Sequence, residues 1–170
     1  IYGYGYSTNS TPLAGLISYT NLVSYTGVVS ADITGVGTAR SLLAAAGYGN
    51  DKAIFGYGQT GGSTSITNLV SNTGVVAGDV TGIGTFRYGL AAAGYGNDKA
   101  IFGYGHTAGN YSMTNLVSNT GVVSADVTGV GSARYGLAAA GYGGDKAIFG
   151  YGATGDSQSM TNLVSNTGVV

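Results

Sequence analysis

The chain has 170 residues, of which 8% are charged, 44% are hydrophobic and 33 are glycine, with a formal net charge of −1. Such hydrophobicity at near-zero charge excludes a solvated disordered tail, and it removes electrostatic steering toward nucleic acid or anionic membranes, so neither is expected as a partner. The absence of cysteine excludes disulfides and thiolate metal sites, and with no run of about 20 apolar residues no membrane insertion is expected.

The chain opens on Ile1-Tyr2-Gly3-Tyr4-Gly5, with neither an initiator methionine nor a basic leader, and it opens inside a repeat. A processed product or a piece of a longer chain is therefore expected. After this aromatic–glycine strand comes a loop, 6–19, holding the only proline, Pro12. Next is a segment at 20–29 whose near copies are Thr67-Asn68-Leu69-Val70-Ser71-Asn72-Thr73-Gly74-Val75-Val76 and the stretches 114–123 and 161–170. The step between copies is 47 residues, and Arg40, Arg87 and Arg134 keep it, as do Lys52, Lys99 and Lys146. The array divides into a partial first repeat at 1–39, repeats at 40–86 and 87–133, and a partial last repeat at 134–170.

Within one repeat, four short strands are expected. A small-residue run, Leu90-Ala91-Ala92-Ala93-Gly94-Tyr95, ends at the turn formers Gly96-Asn97-Asp98. Ala100-Ile101-Phe102-Gly103-Tyr104-Gly105 alternates so that Phe102 and Tyr104 share a face. After a variable loop, a third strand falls near 112–118, and a fourth starts at Val122-Val123. Glutamate is absent and apolar positions do not recur every 3.6 residues, so no helix is expected. The fold class is all-β. A four-stranded period of this length predicts β-propeller blades, small residues crowding the axis and glycine faces receiving a neighbour's aromatics. About three and a half repeats are present, however, so an open β-solenoid or fibre stands as the alternative.

The stretch Arg-Tyr-Gly-Leu-Ala-Ala-Ala-Gly-Tyr-Gly-Asn-Asp-Lys-Ala-Ile-Phe-Gly-Tyr-Gly at 87–105 resembles the kelch repeat, an arginine ahead of a small-residue strand, a turn and an aromatic strand ending in glycines. It also resembles the kelch-like arrays of phage tail and virion proteins. Here the double glycine is interrupted by tyrosine, and tryptophan is absent. The resemblance implies a propeller with a structural or binding role and supplies no catalytic residue.

No catalytic, cofactor-binding or metal-ligating set is assigned. Asp32, Asp79 and Asp126, the pairs Asp51-Lys52, Asp98-Lys99 and Asp145-Lys146, and the arginines all recur with the repeat. Three equivalent active sites in so small an array would be odd, and calcium needs more clustered carboxylates. These charges are read as structural, the aspartates capping turns and the arginines bonding carbonyls or a neighbouring aspartate. His106, the sole histidine, is expected to be an exposed loop residue without catalytic partners. The Gly-Val-Gly-Thr pattern at 35–38, with copies at 82–85 and 129–132, lacks the helix and the Lys-Ser/Thr pair of a phosphate loop. Asn9-Ser10-Thr11 and Asn110-Tyr111-Ser112 match a glycosylation acceptor.

The copies disagree mainly between the Gly-Tyr-Gly and Thr-Asn-Leu motifs, at 59–66, 106–113 and 153–160 and in the longer loop of the first copy. Loops on a rigid repeat scaffold carry binding, which marks Tyr6, Gln59, His106, Tyr111 and Asp156 as candidate ligand contacts. The expected role is a structural or binding module of a virion or extracellular assembly, self-associating and presenting these loops to a glycan or protein receptor. A ligand-free self-assembling fibre is the alternative, and a propeller enzyme acting on glycans a distant one.

Overall fold

A computed structural model describes residues 1–7 and 15–170, and these contain strands and no helix. Residues 8–14 of the expected first loop, with Pro12 and Asn9-Ser10-Thr11, lie outside the described residues, while its two flanks, 6–7 and 15–19, belong to strands and not to a loop. Four small antiparallel sheets follow one another along the chain, and none closes on itself. The first pairs β1 (Tyr2–Ser7) with β2 (Gly15–Asn21). The second is β3 (Ala44–Tyr48), β4 (Lys52–Gly56) and β5 (Thr67–Val70). The third is β6 (Ala91–Tyr95), β7 (Lys99–His106) and β8 (Asn110–Val117). The fourth is β9 (Ala138–Tyr142), β10 (Lys146–Gly150) and β11 (Thr161–Val164).

The fourth strand of each repeat is reduced to isolated bridges, Val70 with Val76 and Thr67 with Val80 in the second unit, Val117 with Val123 and Thr114 with Val127 in the third. The cause lies in the segment itself. Gly78, Gly82 and Gly84 give it no continuous side-chain face. Asp79, in its middle, turns its carboxylate to Thr38 and Asn68, away from any ladder position.

The alanine-rich strands lie side by side, β6 between β3 and β9. They can do so because almost nothing stands between them: a Cβ built on Gly94 would sit 3.4 Å from the Gly47 carbonyl oxygen, and one on Gly141 the same distance from that of Gly94. Backbone bonds stitch both ends of this row. The Gly49 and Gly96 amides donate to the carbonyls of Asp98 and Asp145 at 2.6 and 2.7 Å, and those of Gly89 and Gly136 to Leu42 and Gly89 at 2.9 and 2.7 Å.

The core sits between sheets and not within any one of them. One buried cluster joins Ala44, Tyr48, Ile54 and Tyr57 of the second unit to Leu90, Ala100, Phe102 and Val117 of the third, and another joins Ala91, Tyr95, Ile101 and Tyr104 to Leu137, Ala147, Phe149 and Val164. The key fit is aromatic on glycine. Phe102 covers Gly56, where a Cβ would come within 2.7 Å of its ring, and Phe149 covers Gly103 at 2.6 Å. Each phenylalanine also meets the tyrosine beside that glycine edge-on, Tyr57 with Phe102 at 5.1 Å and Tyr104 with Phe149 at 5.3 Å. Full burial of such a ring contributes roughly 1.5–3 kcal/mol, and the edge-to-face geometry about 0.5–1.5 more.

Candidate functional site

Two places gather polar and aromatic side chains, the junctions between units and the end of the array where the variable loops lie. At the junctions, Arg40, Arg87 and Arg134 are wholly buried. A buried guanidinium needs hydrogen-bond partners, and two backbone carbonyls and an asparagine supply one for each of its nitrogens. Tyr104 adopts a left-handed φ of 64° at a bulge between Gly103 and Gly105, and its carbonyl accepts the Arg87 Nε–H at 2.7 Å. Arg87 Nη1 donates to the Thr85 carbonyl at 2.9 Å, and Nη2 to Asn115 Oδ1. The flat face of the guanidinium lies 4.5 Å from the ring of Tyr57, in the preceding unit. Arg40 repeats the set with Tyr57, Thr38, Asn68 and the Tyr4 ring, and Arg134 with Tyr151, Ser132, Asn162 and the Tyr104 ring.

Asparagine extends the network to the acids. Asn115 Nδ2 donates to Asp126 Oδ1 at 2.9 Å, and the same carboxylate accepts from the Thr85 amide and hydroxyl. The Arg87 Nη1 to Asp126 contact is a longer 3.8 Å. Partial burial pushes the Asp126 carboxyl upward, but the bonds from Asn115 and Thr85 outweigh it and hold the group below its ordinary range; Asp79 is held down in the same way by Thr38 and Asn68. Burial drives the Tyr57 phenol up to about 12, against the pull of Arg87. Its hydroxyl donates to the Ile83 carbonyl at 3.2 Å. These groups are engaged with one another, with the linkers and with the tyrosine ring of the preceding unit, and together they form a clamp. At the far end of the strands, Asp51, Asp98 and Asp145 pair with the adjacent Lys52, Lys99 and Lys146 at 3.1, 2.9 and 2.7 Å near the surface.

The variable loops occupy the opposite end, because the second strand of each sheet runs toward them and the arginine-bearing linkers arrive there. Bridges Ser41 with Gln59, Tyr88 with His106, and Tyr135 with Ala153 join the residue after each arginine to the residue after each Gly-Tyr-Gly. Neighbouring loops touch: the Ser63 hydroxyl donates to that of Thr107 at 3.0 Å. His106 is not the exposed loop residue expected of it. It is half-buried at the end of β7, its ring 5.4 Å from Tyr88 of its own unit and 5.4 Å from Tyr135 of the next. Its Nδ1–H donates to Asn110 Oδ1 at 2.8 Å, which fixes the ring plane and occupies the Asn110 carboxamide. The variable loop thus closes as a hairpin, and stacking between units does the rest.

The other loop candidates are spread out. Gln59 is tied to Ser41 through both backbone groups. Tyr6, at the position equivalent to His106, is exposed in β1 opposite Leu16. Tyr111 pairs with Gly105 and lines a groove of 370 Å³ with Asn110, Met113 and Asp126. Asp156 lies in an exposed turn whose carbonyl accepts the Thr154 amide. Tyr88 and Tyr135 were not singled out from sequence. Their signal was there to use, since both follow directly on the repeating arginine, where the earlier copy has Ser41.

No family model matches the chain, and no curated protein matches it. Among solved structures, that of YjhT is similar, with a TM-score of 0.68 at 13% sequence identity over 86% of this chain. The likeness is one of fold. The chain spans about half of that protein, 49% of its length.

Proposed function

We propose that the chain is a structural and ligand-presenting repeat module, its sheets kelch-like propeller blades, that works in a virion or extracellular assembly and catalyses no reaction. One observation carries the reading: the repeated residues are spent on the junctions, while the residues that vary between copies gather at one end, where His106 stands between Tyr88 and Tyr135. Support for the blades comes from the kelch-like residues at 87–105 and from the fold shared with YjhT.

Partly exposed tyrosine rings beside amides and hydroxyls suit a sugar ring or a protein side chain, since an aromatic body supplies contact area and its polar rim supplies direction. A non-enzymatic role accords with the way the titratable groups are held. Asp79 and Asp126 are saturated by threonine and asparagine donors. The test is a screen of immobilised surface glycans against the wild-type chain and against His106→Ala, Tyr88→Ala and Tyr135→Ala. A glycan bound by the wild type and lost by the variants supports the reading. Binding that persists when all three substitutions are combined removes this end of the array from it.

A further inference from the structure

The residue after Gly-Tyr-Gly is Tyr6, Gln59, His106 or Ala153, and the residue after each arginine is Ser41, Tyr88 or Tyr135. Among the described residues, an imidazole falls between two of those tyrosines at a single place, the junction of the third and fourth units. There the Tyr88 ring meets His106 edge-on at 67° and the Tyr135 ring is tilted to it at 51°. Both walls are fixed by backbone. Tyr88 and His106 exchange their two main-chain hydrogen bonds at 2.9 and 2.8 Å. Tyr135 packs on the linker at Gly89, where a Cβ would lie 3.6 Å from its ring.

The imidazole between these walls is also aimed. With Nδ1–H donated to Asn110 Oδ1 at 2.8 Å, the other nitrogen, Nε2, carries the lone pair of the neutral ring and is an acceptor. No donor among the described residues reaches it, and among those residues no buried side-chain nitrogen or oxygen lacks a partner, so Nε2 lies open to solvent. Positive charge is kept away from it. The chain has six cations. Arg40, Arg87 and Arg134 are wholly buried in the junction clamps, and Lys52, Lys99 and Lys146 pair with aspartates at the far end of the strands. The variable loops hold one charged side chain, the acid Asp156.

We infer that His106 Nε2 accepts a hydroxyl of an uncharged sugar whose ring lies against Tyr88 and Tyr135, and that this slot rejects acidic sugars, carboxylated or sulfated. The slot is part of the ligand-presenting end proposed above, and its selectivity rests on that reading. A neutral sugar offers what the slot lacks, O–H donors for an open acceptor and C–H faces for aromatic rings. An anion offers the reverse. It brings acceptors to an acceptor, finds no arginine or lysine to pair with, and gives up hydration beside aromatic walls. The equivalent positions do not repeat the arrangement: Gln59 is bridged to Ser41 in place of a tyrosine, and the Ala153 side chain has no polar atom.

A glycan array carrying galactose-, glucose- and mannose-terminated chains beside their sulfated and sialylated derivatives tests the selectivity of the 170-residue chain. Neutral chains should bind, and their acidic derivatives about tenfold more weakly or worse. His106→Phe keeps a flat ring between the tyrosines and removes both nitrogens. With an unchanged circular-dichroism spectrum it should weaken binding about tenfold, the loss of one hydrogen bond. Because the chain has one histidine, nitrogen-15 NMR of its imidazole reads the geometry directly. The free chain should show the Nδ1–H tautomer, and a saturating neutral glycan should move the Nε2 resonance. Acidic derivatives bound as tightly as neutral chains, a folded His106→Phe that binds as wild type, or an Nε2–H tautomer in the free chain would each overturn the proposal. The first two outcomes leave glycan binding at this end of the array standing, whereas a chain that binds no glycan removes the sugar from both readings.

Discussion

Replacing Arg87 with alanine deletes the centre of the junction between the second and third units. Three acceptors then lose their donor, the carbonyls of Tyr104 and Thr85 and the Asn115 carboxamide. The Tyr57 ring loses the cation lying on it. Each buried acceptor left without a partner costs roughly 1–3 kcal/mol, and a desolvated cation–π contact is worth about 2. Water entering the vacated space recovers part of this, so the expected loss is about 3–5 kcal/mol, in line with breaking other buried charge networks. Because the array is stabilised by nearest-neighbour contacts, the loss should also uncouple its halves and broaden the unfolding transition. Urea denaturation followed by far-ultraviolet circular dichroism reads both effects. Arg87→Lys provides the sharper comparison, since it keeps the charge but cannot satisfy three divergent acceptors and stack at once. If alanine cost less than about 1 kcal/mol, or lysine behaved as wild type, the clamp would not be what holds the units together.

Alkaline pH probes the same junction from the tyrosine. Tyr57 keeps its proton to about 12 when folded and only to about 10 when unfolded, so its contribution is complete below pH 10 and is lost as pH rises toward 12, a difference of roughly 2–3 kcal/mol. Stability measured across that window should fall for the wild type and fall less for Tyr57→Phe; equal slopes would refute the assignment. In acid the sign reverses: Asp79 and Asp126 are held below their ordinary range, so the stability they supply is present above about pH 4 and lost below it. Asp126→Asn should flatten that acid arm in urea titrations, and an unchanged arm would count against the network. Gly56→Ala should cost about 1–3 kcal/mol by driving a methyl into the Phe102 ring, whereas Gly150→Ala in dilute solution should stay within about 0.5 kcal/mol. Matching losses at the two sites in thermal melts would mean that the glycines serve the strand and not the junction.

Much of this architecture could be read from the repeat alone, and the reasons differ residue by residue. The Gly-Tyr-Gly motif implied a glycine face for a neighbour's aromatics, and Phe102 on Gly56 is such a contact. The expectation that Phe102 and Tyr104 share a face fails, because the bulge at Tyr104 breaks the alternation and turns Phe102 to Tyr57 of the preceding unit and Tyr104 to Phe149 of the following one. The fourth strand could not be judged in the same way. Val76 and Val80 carry the right residue type, but pairing there depends on whether Asp79 faces a ladder or a linker some 40 residues away in sequence, and spacing holds no information on that. The tyrosine of Gly-Tyr-Gly read as an ordinary strand residue, whereas its left-handed backbone aims its carbonyl at the arginine. His106 was misplaced because its surroundings come from two units: Tyr88 and Tyr135 reach it only after the sheets have stacked.

The same stacking explains why the copies can be so alike and still differ where they do. Several repeating positions of the 47-residue step make contacts one unit away, so changing Phe102 would mismatch Gly56 and Tyr57, and changing Arg87 would mismatch Tyr57 as well as Asn115 of its own unit. Positions such as Gln59 and Ala153 escape this constraint, since their strand pairing to Ser41 and Tyr135 runs through the backbone and accepts any side chain. Variation is thereby channelled to one end of the array without loosening the rest. A binding surface built there can change its chemistry one unit at a time while the junctions keep a single geometry.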